Sequence, residues 1–247
     1  MSLLRRALAD GDRLDVAGAP VRLKVNRRAR RVSLRLDRTR REIVATAPTE
    51  RRLGEALAFA RARESWIAER LAELPAGWPL AAGMTLEVFG EAVRLEAATG
   101  RARWIAAEGG APARICALGT GEGFARAVSR QIRLRALAVL TERTGIHAAA
   151  LGTAMPQVAV ADPRSRWGSC APAGAGRAAT IRYSWRLALA PFATADYVAA
   201  HECAHLLEPN HGPRFWAQVK ALGFDPRPHR AWLRENGARL HAFGTED

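Results

Sequence analysis

The run His201-Glu202-Cys203-Ala204-His205 narrows most sharply what this chain can be. Residues four apart on a helix share a face. The two imidazoles therefore stand one turn apart, with Glu202 beside the first. The segment before the run, Phe192 to Ala200, is largely apolar, as a helix packed into a core should be. This spacing lets two imidazoles reach one tetrahedral ion while the carboxylate reaches a water held there. The helix must break at Pro209-Asn210, and His211 follows, six residues after His205. A return of that length supplies a third imidazole. Three protein ligands leave one position open, the mark of a catalytic rather than a structural zinc site. The expected ligands of Zn2+ are His201, His205 and His211, with Glu202 as general base. The other histidines lack a partner at helical spacing; His147 is expected at the surface, and His229 and His241 are expected to have no direct role.

The chain has 247 residues, 49% hydrophobic and 25% charged, which suits one large or two small globular domains. Three widely spaced cysteines, Cys116, Cys170 and Cys203, argue against a disulfide framework and form no paired metal motif. Cys170 reads as a small buried hydrophobe, and Cys203 as pointing away from the ligand face. The first residues lack an apolar signal core, and no run of about 18 apolar residues occurs. A cytoplasmic protein with no membrane partner is expected. The formal net charge is +14, and all but two of the 38 basic residues are arginine. Such a balance calls for a solvated basic surface or an anionic partner: nucleic acid, nucleotide or an acidic peptide.

Residues 20 to 47 alternate with period two. Val21, Leu23 and Val25 face one way, Arg22 and Lys24 the other; Val32, Leu34 and Leu36 repeat the pattern. The expectation is a small antiparallel meander. Between 20 and 41 there are ten basic residues and a single acid, Asp37. Its outer face, with Arg22, Lys24, Arg27, Arg28, Arg31 and Arg35, is the candidate surface for an anionic partner. Thr49 then caps a helix carrying Leu53, Leu57, Ala60, Ile67 and Leu71, ended by Pro75 to Pro79. Residues 84 to 118 read as further short strands, and 122 to 144 as a basic amphipathic helix. Gln157 to Ala161 reads as a strand, 171 to 178 as a loop, and Thr180 to Leu189 as a strand. Pro191 opens the histidine helix. No internal repeat or low-complexity segment is expected.

Three stretches together resemble the YgjP-like metallopeptidases, zincins related to the SprT-like and WLM groups: SRWGSC at 165–170, YSWRLALAPFATADYVAAHECAHLLEPNHGPRFW at 183–216, and HRAWLRENG at 229–237. The resemblance extends to the basic hairpin region, TAPTE and SWIAERL. It implies a zincin-like catalytic domain with His201, His205 and His211 on zinc and Glu202 as base. The expected fold class is α+β, with a small basic antiparallel β region ahead of the catalytic domain. The expected division is a β-rich region with one helix over 1–118 and the catalytic domain over 119–247. Glu208 stands where metzincins carry glycine, and all three methionines precede the motif, so a Met-turn is excluded. Ser184 and Pro209 also depart from the commoner family residues. A gluzincin-like alternative makes Glu235 the third ligand. Within SRWGSC, Arg166 and Ser169 are candidates for oxyanion or substrate binding, as are Asn210 and Arg214 around the third ligand; Trp167 and Gly168 suit packing under the helix.

The chemistry implied is hydrolysis of an electrophile by zinc-activated water. A peptide or protein substrate comes first. A nucleoside triphosphate phosphoanhydride is the second reading, although no Walker-type loop is present. A nucleic-acid-binding module with a structural metal is the third.

Overall fold

In the computed structural model, which describes residues 7–37, 40–73, 80–163, 165–174 and 176–243, the alternating segments become strands. The chain forms two compact units, Met1–Ala76 and Gly77–Asp247. The fold is mixed α and β, and each unit opens with a four-stranded sheet followed by helix.

The first unit holds β1 (Arg13–Val16), β2 (Ala19–Val25), β3 (Ser33–Asp37) and β4 (Glu42–Ala47) in the order β1-β2-β4-β3. The expected antiparallel meander is corrected here. β4 inserts between β2 and β3 and runs parallel to β2, with Val21 opposite Ile43. Alternation reports which face a residue takes, not which strand lies beside it. The better signal was Ile43-Val44-Ala45, buried without interruption, as a central strand is. The single expected helix is two, α1 (Leu53–Arg61) and α2 (Glu64–Ala72), because Arg63 leaves helical geometry at φ −126° and ψ 29°. Thr49 precedes a short 3-10 turn, Glu50–Arg52, and makes no side-chain cap bond. The expected stop at Pro75 to Pro79 lies outside the described residues. Val21, Leu23, Ile43 and Ala45 pack with Leu53, Ala56, Ala60 and Ile67 as one core.

The second unit begins with β5 (Thr85–Val88), β6 (Glu91–Ala97), β7 (Arg103–Ile105) and β8 (Ala113–Ala117), ordered β5-β6-β8-β7. This is the topology of the first sheet: an antiparallel hairpin, a parallel central pair, then an antiparallel edge. The correspondence reaches single hydrogen bonds. Gly11 N–H bonds to Leu23 O and Leu23 N–H to Asp12 O; Gly83 N–H bonds to Leu95 O and Leu95 N–H to Met84 O. The hairpin turns match as well, with Ala17-Gly18 at φ 52° and 80° and Phe89-Gly90 at φ 55° and 81°. Aligned without a gap, residues 8–25 and 80–97 agree at nine positions, among them Gly11/Gly83, Gly18/Gly90 and Val21-Arg22-Leu23/Val93-Arg94-Leu95. The chain therefore contains an internal duplication, contrary to the expectation of no repeat. It escapes notice because the halves diverge after the hairpin.

The 30-residue α3 (Gly121–Ala150) follows. Then come β9 (Gln157–Ala161), β10 (Gly168–Ala171) and β11 (Thr180–Ser184), ordered β10-β11-β9 with β10 at an edge. The strand expected to reach Leu189 stops at Ser184, and Trp185–Leu189 turns into a 3-10 helix. Three helices complete the unit: α4 (Phe192–Ala204), α5 (Pro213–Ala221) and α6 (Pro226–Ala242). Val93, Leu95 and Ile115 of the second sheet share a core with Val128, Ile132 and Leu140 of α3 and with Tyr197 and Ala199 of α4. The boundary expected at 118/119 thus falls inside this unit. No helix among the described residues is long and apolar enough to cross a membrane.

Two polar ties hold the helices in place. Arg186, 7% exposed, donates to Asp162 at 2.8 Å and to the carbonyls of Leu240 and Phe243 at 2.7 and 2.9 Å, fastening the end of α6. Asp196 on α4 accepts from Arg143 at 2.7 and 2.9 Å and from His147 Nε2 at 2.6 Å, fastening α4 to α3. His147 is therefore buried, not at the surface; seven residues after Leu140, it lies on the inward face of α3. Burial pushes the Asp196 carboxyl up, but the bonds from His147 and Arg143 outweigh it and hold the group below its usual range. A lowered folded pKa contributes stability above the ordinary carboxylate range, lost as pH falls through the lowered value. Asp196→Ala should cost about 3 kcal/mol in urea unfolding at neutral pH, because it strands buried partners. That difference should shrink in acid; an unchanged neutral-pH midpoint would contradict the tie.

Candidate metal centre

The helix α4 is buried from Thr194 to Ala200 on every side, so its axis is fixed before the histidines begin. His201 and His205 emerge on one face, their rings 5.1 Å apart. The helix closes at His205, and a tight turn follows in which Glu208 N–H reaches Ala204 O at 3.0 Å. The chain then doubles back through Pro209 and Asn210. His211 comes last before Gly212 and Pro213 open α5. The histidine rings lie against Phe215, which is fully buried, with centroids 4.8, 4.5 and 4.6 Å from those of His201, His205 and His211. One aromatic floor thus sets the position of all three.

The candidate ligand atoms of the three histidines lie within 4.8 Å of one another, and His201 Nε2 is 3.1 Å from His211 Nε2. His205 Nδ1 donates to the Glu208 carbonyl at 3.0 Å, which fixes its tautomer and leaves Nε2 as an unprotonated donor. Burial, followed by the neighbouring His205 and His211 and then Arg230, pushes His201 down to about 3. His205 is lowered as well, chiefly by burial. Three imidazoles facing one point form a donor set that suits a divalent ion of borderline softness. His201 Nδ1 is buried with no partner, a polar atom left over in a protein-only account of the site.

Glu202 is 5% exposed, and burial pushes its carboxyl up to about 7 against the opposing pull of Arg166. Its seat depends on Gly168: a Cβ there would stand 2.5 Å from Glu202 Oε1 and 2.7 Å from Cδ. The histidines and Glu202 open into a cleft of about 340 Å³, bordered on one side by Arg166, Ser169, Cys170 and Pro172 and on the other by Pro209. The cleft thus runs along β10.

Of the residues singled out from sequence, His201, Glu202, His205, His211, Arg166 and Ser169 meet in this cleft. Asn210 and Arg214 are exposed and do not line it. Glu235 is exposed on α6 and does not join the three histidines, which removes the gluzincin-like alternative from the described geometry. Trp167 stacks on His241 at 5.0 Å, and His229 stacks on Tyr197 at 5.0 Å, so both outlying histidines pack against aromatic rings. Cys203 is buried with its thiol directed at Thr144 O, 3.6 Å away. Cys170, expected inside, lines the cleft; burial and then Glu202 push its thiol up to about 11, so it stays protonated. Sequence reasoning missed two contributors, Phe215 as the floor and Arg230, which lies over Trp216 and whose charge reaches His201. The available signal was an aromatic residue in the first turn of the helix that directly follows His211. The basic residues of the first unit divide: Arg22 pairs with Glu42 at 2.7 Å, while Lys24, Arg27, Arg28, Arg31 and Arg35 are exposed.

Zinc titration of the chelated protein should find one ion per chain. His201→Ala, His205→Ala and His211→Ala should each weaken binding by roughly a hundredfold or more, and Glu235→Ala should leave it unchanged. Retention of full affinity by His211→Ala would remove it from the ligand set.

No curated protein and no solved structure matches the chain. The family model for the YgjP-like metallopeptidase domain matches residues 30–236. That span takes in the histidine turn, the SRWGSC strand and most of both units, and the chain belongs to the YgjP-like metallopeptidase family.

Proposed function

We propose that this protein is a zinc-dependent peptidase in which His201, His205 and His211 hold the metal and Glu202 is the general base. When bound, zinc supplies Lewis acidity toward water and toward the carbonyl oxygen of the substrate. Among the described residues, Glu202 is the one acid in the cleft lining. With its carboxyl near neutrality it accepts a proton from the attacking water and returns it to the leaving amine, the two transfers amide hydrolysis needs. Gly168 permits this by leaving the carboxylate room beside β10. Arg166, exposed at the cleft, is placed to bind an oxyanion or a substrate carboxylate, and Ser169 offers a hydroxyl alongside.

The observation that carries the peptide reading is the position of β10. It is an edge strand, and Gly168, Ser169 and Cys170 border the cleft. An exposed edge offers backbone groups to an extended peptide, which adds as a further strand across the metal site. Among the described residues, Arg166 is the one arginine in that lining.

The test is hydrolysis of a mixture of unfolded peptides by zinc-loaded protein. Glu202→Gln should keep zinc and lose at least a hundredfold in turnover. Gly168→Ala should keep fold and zinc but lose tenfold or more, because it displaces the Glu202 carboxylate. Phosphate release from a nucleoside triphosphate, lost in Glu202→Gln and unaccompanied by peptide cleavage, would move the assignment to phosphoanhydride hydrolysis.

A further inference from the structure

The two copies of the duplicated sheet share a fold but not a surface. In the second copy, Glu96 occupies the place Lys24 has in the first. Its carboxylate lies 3.8 Å from Arg94 and 3.5 Å from Arg114, so that face neutralises itself. In the first copy the sheet acids that pair with arginines, Glu42 and Asp37, lie at one end. Glu42 and Asp37 are opposite each other across β3 and β4. Glu42 collects Arg13 at 3.0 Å, Arg22 at 2.7 Å and Arg40 at 3.8 Å, and Asp37 lies 3.9 Å from Arg22.

At the other end Asp10 Oδ1 accepts from Val25 N–H at 2.7 Å, and the cations outnumber this acid. There Lys24 on β2 and Ser33 on β3 flank Thr46 on β4, and the loop between β2 and β3 adds four arginines. Lys24, Arg27, Arg28, Arg30, Arg31 and Arg35 are all exposed, and none of the six forms an ion pair among the described residues. The fold does not require them, since the second copy builds the same sheet without them. Six unpaired cations gathered at one end repel one another and cost stability in isolation.

We propose that this end of the first unit docks the phosphate backbone of nucleic acid. Guanidinium forks match phosphate oxygens in a bidentate way that a lone ammonium does not. Residues 20 to 47 contain no aromatic side chain to stack on a base, so contact is with the backbone and indifferent to sequence. A lipid surface fits less well. Among the described residues, the exposed large apolar side chains, Leu118, Leu134, Ile146, Met155, Phe192 and Leu207, all belong to the second unit, away from the basic end that a membrane-inserting surface would need them beside.

The test is fluorescence anisotropy of the full chain with labelled DNA of several unrelated sequences, across a salt series. Binding should be sequence-independent and fall steeply with salt. The quadruple variant R27S/R28S/R30S/R31S should bind roughly tenfold or more weakly near 100 mM salt and lower the log–log salt slope by up to about four. A charge-matched control in the second unit, R101S/R103S/R130S/R234S, should bind as the parent does. Equal loss in the control, absence of DNA binding by the parent, or capture by phosphatidylserine vesicles that DNA does not compete away would each overturn the proposal. Glu202→Gln should bind DNA normally, so this surface and the peptidase reading fail independently.

Discussion

The carboxylate of Asp196, held by Arg143 and His147, is the contact on which the arrangement of the candidate site rests. A helix whose middle is buried on every side has few polar groups to orient it, and α4 is such a helix. Apolar packing sets how deep it lies but is not directional. The Asp196 tie to α3 fixes its rotation, with Thr194 Oγ1 near His229 Nδ1 as a weaker second contact at 3.3 Å. With the rotation set, His201 and His205 point toward Phe215 and the returning chain, and Glu202 points under β10. The direction of each reactive side chain follows from a packing decision made two turns earlier.

The same logic explains why the site was legible in sequence and the sheets were not. His201, Glu202 and His205 are four-residue neighbours, and helical geometry converts that spacing directly into position. His211 follows across one tight turn, so its arrival at the same point is also a local matter. Glu235, Asn210 and Arg214 depended on which way a distant or exposed side chain turns, and spacing does not report that. In the sheets, period-two alternation assigned the faces of β2 and β3 well. It was silent on strand order, which is set by the parallel pairing of β2 with β4 across a connection of 16 residues, Asn26 to Arg41. His147 shows a different failure: its helical register already placed it inward, but a lone histidine near a helix end was taken for a surface residue.

The duplication gives these observations a common frame. One sheet plan, with the same hairpin and the same parallel central pair, was used twice. In the second unit it supplies part of the core against which α3 and α4 pack, and its outward charges cancel. In the first unit it packs against its own two helices, and at one end the exposed cations outnumber the acids. On the docking proposal, the arginines that set the two copies apart serve a partner and not folding.

The central claim is an open three-histidine metal site, and zinc-edge X-ray absorption of the loaded protein tests it most directly. The expected result is a single first shell at about 2.0–2.1 Å, made of three imidazole nitrogens and one further light, non-protein scatterer. A sulfur shell near 2.3 Å, placing Cys170 on the metal, or a fourth protein ligand closing the site, would contradict it.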